Sequence, residues 1–227
     1  MLDRAAQAAW RFNVAQRGDA LELLRSLPDR NASVVFFDPQ HRSVLDHLKF
    51  GNEGARQVGR AALPTMSEPY TDLCLRESAR ILTPSGYVFY WLDTFCLCMG
   101  AHLRVADVLR PVDLIAWDNL KMGMGKRSRR RGDYVLALQK KPVTPKTWTD
   151  HAIPNRWPEK IDRRRHPHLK PTELTSRLIA AVTKPNDLIV DPAAGSFVVL
   201  KIAGLLGRRF IGCDAAWTGE KSEGSVR

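Results

Sequence analysis

Short apolar runs recur along the chain, and the stretches between them carry apolar residues at helical spacing. The runs are residues 33–37 (SVVFF), 86–91 (GYVFYW), 112–117, 134–139 (YVLALQ), 188–190 and 209–212. The first leads directly into Asp38-Pro39, the fifth into Asp191-Pro192 and the sixth into Cys213-Asp214. The second follows the turn sequence Thr83-Pro84-Ser85-Gly86. Near-continuous apolar runs of this length suit strands buried on both faces. Helices are predicted over 19–27, with Leu21, Leu23, Leu24 and Leu27 on one side, and over 67–82, with Tyr70, Leu73, Cys74, Ala79 and Leu82. A third covers 172–183, where a capping-type Thr172 follows Pro171 and Leu174, Leu178, Ile179 and Val182 are in phase. The fourth, 196–206, follows a glycine turn. Strands alternating with amphipathic helices predict an α/β fold around a parallel sheet.

Three segments do not fit either period: 41–64, polar and glycine-containing; 121–132, rich in Gly, Met and Arg; and 140–168, rich in Pro, Trp and charge. They read as loops over one rim of the sheet. In parallel sheets ligands bind at the carboxyl ends of the strands, so the rim is where chemistry is expected. The 227 residues suffice for one domain with a full core, taken here as 1–227.

Charge changes the picture next. Lys and Arg total 35 against 24 Asp and Glu, an excess that points to a polyanionic partner or to a plain basic enzyme. The four cysteines, Cys74, Cys96, Cys98 and Cys213, form no CxxC pair and have no His at zinc spacing, so no metal site is expected. Cys96 and Cys98, in an apolar run, read as core packing. A reduced, cytoplasmic setting fits this cysteine usage. The first residues, MLDRAAQAAWRF, lack a signal-peptide run, and no stretch of about 20 apolar residues suggests a membrane span.

Both Asp-Pro strand ends carry candidate chemistry. At 191–196 the order strand, D-P-A-A-G-S, helix suits a nucleoside cofactor: Gly195 permits close approach, and the helix start offers free N–H groups to a carboxylate. Asp214 closes the next strand, where an acid can accept from two ribose hydroxyls. At Asp38-Pro39 the requirement is different. An aromatic amine is a weak nucleophile because its lone pair is delocalised. A carboxylate accepting one N–H and the Pro39 carbonyl accepting the other would draw the nitrogen toward tetrahedral geometry, with proline holding that carbonyl in place. His41 would stack on an extruded base. Read singly, each site is also an ordinary strand-turn joint.

Taken in order, these motifs resemble the beta-class DNA N6-adenine/N4-cytosine methyltransferases, whose catalytic motif precedes the cofactor motif. Gly18-Asp19-Ala20-Leu21 through Asp38-Pro39 is similar to the family's opening; Trp117-Asp118 through Lys126-Arg127 to its sixth-strand region; His166-Pro167-His168-Leu169-Lys170-Pro171 to its His-Pro-x-x-Lys-Pro element; and Asp191 to Ser196 to its cofactor loop. The resemblance implies a Rossmann-like methyltransferase fold with a mostly parallel seven-stranded sheet and helices on both faces. It implies S-adenosyl-L-methionine as cofactor, with Asp19 at the adenine, Asp214 at the ribose, and Asp191, Ala193, Gly195 and Ser196 at the methionine part, helped by His166, Lys170 and Thr172. Asp38, Pro39, Gln40 and His41 would engage the target base, double-stranded DNA would be the substrate, and a homodimer would be in keeping with the family. A leading Asp is more typical of adenine than of cytosine enzymes. The chain departs from Asp-Pro-Pro-Tyr at Gln40 and His41, has Phe197 where a further Gly is usual, and has Gly132-Asp133 where His-Glu often stands.

Two basic clusters are candidate phosphate contacts. Residues 126–131 (KRSRRR) hold five basic side chains, Lys126, Arg127, Arg129, Arg130 and Arg131, and 160–165 (KIDRRR) adds Arg163, Arg164 and Arg165. Such clusters give salt-sensitive, sequence-independent affinity. In 41–64, Arg42 and Lys49, with Asn52, Arg56 and Gln57, are further candidates. Trp148 and Trp157 are expected to pack their loop onto the body.

Overall fold

The computed structural model describes residues 10–39, 66–123, 128–161 and 169–219. Its elements run α1 (Ala20–Ser26), β1 (Ala32–Phe37), α2 (Glu68–Ile81), β2 (Leu82–Leu92), α3 (Thr94–Cys98), β3 (Leu109–Asp118), β4 (Tyr134–Lys140), β5 (Arg156–Pro158), α4 (Thr172–Val182), β6 (Leu188–Asp191), α5 (Val198–Leu205) and β7 (Arg209–Gly212). The seven strands form one sheet in the order β5-β3-β4-β2-β1-β6-β7. Strand β4 is antiparallel to both neighbours, and every other pairing is parallel. The chain builds one half of the sheet outward from β1, then returns to lay β6 and β7 on the opposite side of β1. The order therefore reverses between β1 and β6, the place in an open α/β sheet where ligands bind beyond the strands' carboxyl ends.

The continuous apolar runs follow from burial on both faces. Val35, Phe37, Val88, Tyr90, Leu136 and Leu138 point into the core beneath α1 and α2. Val34, Phe36, Phe89, Trp91, Val135 and Ala137 point the other way, into the core beneath α4 and α5. Alternation is present, but each face meets helices, so neither face selects polar residues.

The structure corrects several boundaries. Strand β2 starts at Leu82, directly after α2, and absorbs the expected turn as an irregularity in its pairing with β1: Ala32 faces Leu82 while Val34 faces Tyr87. Ser85 there takes a left-handed φ of 62°. Segment 140–168 is not only loop. It contributes β5, whose Trp157 is buried and which extends the sheet beside the end of β3. Trp148 packs edge-on against Tyr87 and Phe89, as expected for a loop tied to the body. Cys96 and Cys98 lie on the unexpected helix α3, where Cys96 is half-buried and packs against the core while Cys98 is exposed, so the core reading holds for Cys96 and fails for Cys98. No helix among the described residues is long and apolar enough to cross a membrane.

Arg80 illustrates how α1 is fastened. Its guanidinium donates to the Leu24 carbonyl at 2.8 Å and the Leu27 carbonyl at 3.0 Å, and it pairs with Glu77 and Asp29. It thus adds to the Leu27 N–H, which reaches the Leu24 carbonyl at 3.3 Å, and takes up the Leu27 carbonyl just beyond the helix end. Replacing Arg80 with Met is expected to lower stability by about 1–2 kcal/mol, since the group is partly exposed and its ion pairs are screened. Urea denaturation with an unchanged slope is the check.

Candidate active site

Asp38 leaves β1 beside the end of β6, because the parallel register sets Val35 opposite Val190. Asp38 and Asp191 therefore stand at neighbouring strand ends, on either side of the reversal point. Pro39 is buried directly behind Asp38. The Lys170 ammonium lies 3.0 Å from Asp38 Oδ1 and 3.9 Å from Asp133 Oδ2. It also sits 4.6 Å above the Trp91 ring. Lys170, associated by the resemblance with the cofactor's methionine part, is thus seated at the proposed catalytic carboxylate. Thr172 opens α4 on the exposed side. It does not cap the helix: Pro171 is the cap residue, and the Glu159 carboxylate accepts the N–H groups of Glu173 and Leu174, each at 3.0 Å. Sequence spacing could not reveal a cap supplied from so far upstream.

The cofactor end is assembled from three separated pieces. The backbone at Arg17 pairs with that at Asp214 as an isolated parallel β-bridge, the Gly18 N–H reaches the Asp214 carbonyl at 3.3 Å, and the Cys213 thiol lies against the Asp19 carbonyl at 3.6 Å. Asp19, Asp191 and Asp214 thereby surround Cys213, whose thiol pKa is pushed up by burial and then by these three carboxylates. Asp19 caps α1 through Oδ1, accepting from Leu21 and Glu22, while Oδ2 accepts the Tyr70 hydroxyl at 2.6 Å. Asp214 accepts the Gly195 N–H at 3.0 Å and the Ala216 N–H at 2.9 Å. Asp214 therefore also shapes the 191–196 loop.

Asp191 is 5% exposed. Its pKa is raised well above the ordinary carboxylate range, first by burial and further by Asp38 and Asp214. Among the described residues its side-chain donor is the Ala193 N–H, at 3.3 Å. A dry, under-partnered acid is a good seat for a ligand ammonium. Gly195 is left-handed, φ 50°, with open space where a Cβ would stand. Ser196 is half-buried in the same turn. The donor set and the open glycine fit a nucleoside carrying an amino-acid tail.

Phe197 closes this loop in a left-handed conformation, φ 54°, buried and packed edge-on against Trp217 at 4.9 Å. That backbone costs a non-glycine residue about 1–2 kcal/mol, whereas a buried aromatic contributes more. Phe197→Gly is therefore expected to destabilise the protein by about 1–3 kcal/mol despite relieving the backbone. A higher melting temperature in the variant would refute this.

The described part of the first basic cluster folds back on the rim. Arg130 pairs with Asp133 at 2.6 Å, Arg131 with Asp118 at 3.0 Å, and Arg129 donates to the Gly123 carbonyl at 3.0 Å. The Asp118 pKa is lowered by the Leu120 N–H and then by Arg131 and Arg156. Arg130 and Arg131 thus hold a hairpin-like extension of β3 and β4 while their loop stays at the rim. Gln40, His41, Arg42, Lys49, Asn52, Arg56, Gln57, Lys126, Arg127, Arg163, Arg164, Arg165 and His166 lie outside the described residues. Sequence reading missed Trp91, Asp133, Glu159 and Tyr70; only Asp133, placed directly before a strand, left a local signal.

Comparison with known proteins agrees with this geometry. A sequence profile described as DNA methylase, N6/N4 type, matches residues 74–219. The chain is 41% identical over 215 residues to the Type II methyltransferase M.HhaII of Haemophilus parahaemolyticus, covering 93% of this chain and 94% of that one. Among solved structures, the cytosine-N4-specific PvuII DNA methyltransferase aligns with a TM-score of 0.67 at 18% identity, over 88% of this chain and 80% of that one. A putative DNA modification methylase from Thermus thermophilus, complexed with S-adenosyl-L-methionine, aligns with a TM-score of 0.61 at 19% identity, over 89% and 87%. With the strand-order reversal between β1 and β6, the paired Asp-Pro strand ends and a profile match over most of the sheet, the chain belongs to the S-adenosylmethionine-dependent DNA N6/N4 methylase family.

Proposed function

We propose that this protein methylates the exocyclic N6 amine of adenine in double-stranded DNA. The observation that carries the reading is the Asp38-Pro39 strand end, a third-exposed carboxylate backed by a buried proline beside the cofactor loop. Asp38 would accept one N–H of the target amine and the Pro39 carbonyl the other. The nitrogen lone pair, released from the ring, would then be directed toward the cofactor. S-adenosylmethionine, when bound, supplies an electrophilic sulfonium methyl. Asp191 would hold its ammonium, Gly195 and Ser196 the backbone-lined side of the loop, Ala193 the adjoining turn, Asp214 the ribose, and Asp19 the adenine end. Lys170, Thr172 and His166 would border the methionine part and the base. The base must leave the duplex to reach Asp38, and His41 and Gln40 would meet it there. Phosphates would be met by Arg129, Arg130 and Arg131, by Lys126 and Arg127, by Arg163, Arg164 and Arg165, and by Arg42 and Lys49.

Cytosine N4 methylation is the second reading, motivated by the cytosine-N4-specific PvuII enzyme among the structural neighbours. The test is incubation with unmethylated duplex DNA and methyl-labelled S-adenosylmethionine, followed by digestion to nucleosides. Label in N6-methyladenine supports the proposal. Label in N4-methylcytosine overturns the base assignment. Binding of cofactor and DNA without any label would identify a non-catalytic DNA-binding relative.

A further inference from the structure

Asp133 is the centre of a charge network that joins the basic loop to the proposed catalytic carboxylate. Its Oδ1 takes Arg130 at 2.6 Å, and its Oδ2 lies 3.9 Å from the Lys170 ammonium. Lys170 in turn holds Asp38 Oδ1 at 3.0 Å, and Arg130 reaches Asp93 at 3.8 Å. The chain of groups is Asp93, Arg130, Asp133, Lys170, Asp38. The Lys170 and Asp133 side chains are 18% and 22% exposed, so solvent screens their interaction less than at an open surface. The backbone beneath is fixed. The Trp117 N–H donates to the Asp133 carbonyl at 2.9 Å, and a Cβ on Gly132 would lie 1.6 Å from the Trp117 carbonyl oxygen. The backbone that carries Asp133 is therefore held in place, and its short side chain has less reach than the long side chains of Arg130 and Lys170, which can redistribute around it.

We infer that Asp133 is a positioning residue for methyl transfer, sharing Lys170 with Asp38 in a proportion set by Arg130. While Arg130 is on Asp133, Lys170 sits on Asp38 Oδ1 and draws off part of the negative charge with which Asp38 would polarise the target amine. When a DNA phosphate takes Arg130, the Asp133 charge is left to Lys170, which shifts toward it and frees Asp38 Oδ1. Duplex engagement at the basic loop thus arms the carboxylate. The inference rests on the assignment of Asp38 to the target amine and of the 129–131 arginines to phosphate.

Single-turnover transfer from the enzyme–S-adenosylmethionine complex, at saturating duplex DNA, tests it, with cofactor Kd measured alongside. Asp133→Asn leaves Lys170 to Asp38 alone and is expected to slow transfer about tenfold with cofactor Kd unchanged. On duplex long enough for phosphate to hold Arg130, Arg130→Gln is expected to transfer at the wild-type rate while binding DNA more weakly; on a duplex too short to reach the 129–131 loop it is expected to transfer about threefold faster. In the double variant that short-duplex gain should vanish, because the carboxylate partner of Arg130 has lost its charge. Wild-type transfer in Asp133→Asn on long duplex, no gain in Arg130→Gln on short duplex, or the same short-duplex gain in both backgrounds would each overturn the inference. If Asp133→Asn melts well below the wild type, the Arg130→Gln effect is read in Lys170→Gln instead, where it must also vanish; persistence there overturns it. Retained turnover in Asp38→Ala is a separate outcome that removes the site assignment itself.

Discussion

Replacement of Asp38 by alanine is expected to reduce methyl transfer at least about 10³-fold while cofactor affinity stays within about threefold of wild type. The split follows from the geometry. Asp38 ends β1, across the reversal point from the cofactor loop that ends β6, and its ion-pair partner is Lys170 rather than a loop residue. In the proposed mechanism, removing it takes away an acceptor needed only when the amine is being reshaped for attack, so the loss is expected to fall on the chemical step. Asp38→Asn retains the shape and one acceptor oxygen but loses the charge, and should fall between alanine and wild type. The measurement is a single-turnover rate with labelled cofactor together with a cofactor titration. A rate near wild type in the alanine variant would remove Asp38 from the mechanism; a parallel collapse of cofactor affinity would relocate it to the cofactor site.

Asp191→Asn should show opposite effects on binding and stability. Cofactor affinity is expected to fall about 100-fold, the scale of a lost charge-assisted hydrogen bond to a buried carboxylate. The ligand-free protein should meanwhile become more stable by at least about 1 kcal/mol at high pH, because a buried charge near Asp38 and Asp214 is replaced by a neutral group of the same shape. The pH dependence follows from the direction of the shift. Burial raises the folded-state pKa, so the folded protein holds this proton when the unfolded chain has released it. Wild-type stability then falls as pH rises from the unfolded value, about 3.9, through the raised folded value. The asparagine advantage is absent below that window and complete above it. Thermal melts of both proteins across this range are the check; an advantage independent of pH would show that the carboxylate charge is not its source.

Much of the architecture was legible along the chain because burial on both faces leaves a plain mark. The runs 33–37, 134–139, 188–190 and 209–212 became strands with ends within a residue or two of those expected. The helix starting after Asp19 was legible through its leucines. Strand β5 was not, because three residues with one buried tryptophan carry no period of their own and pair only because the end of β3 is waiting for them. Strand β2 was misjudged at its start because Pro84 and Gly86 signal a turn, and tertiary pairing accommodated that turn inside the strand. The 96–98 run was misjudged at Cys98, which is exposed while Cys96 and Leu97 pack against the core, because a short apolar segment beyond a strand end can turn one side to the surface.

The sequence by itself determined the alternation of strands and helices, the acidic strand ends at Asp38, Asp191 and Asp214, and the order of motifs that marks the family. These depend on local chemistry: apolar period, proline geometry and the freedom of glycine. The tertiary structure alone decided which charges meet. Lys170 follows Asp38 by more than a hundred residues, yet they are in contact because α4 begins above the rim to which β1 points. Asp133 stands between Lys170 and Arg130 because the one antiparallel strand starts where the others end. Side-chain partners at this distance are fixed by strand order and direction, properties of the closed sheet that no stretch of the chain encodes on its own.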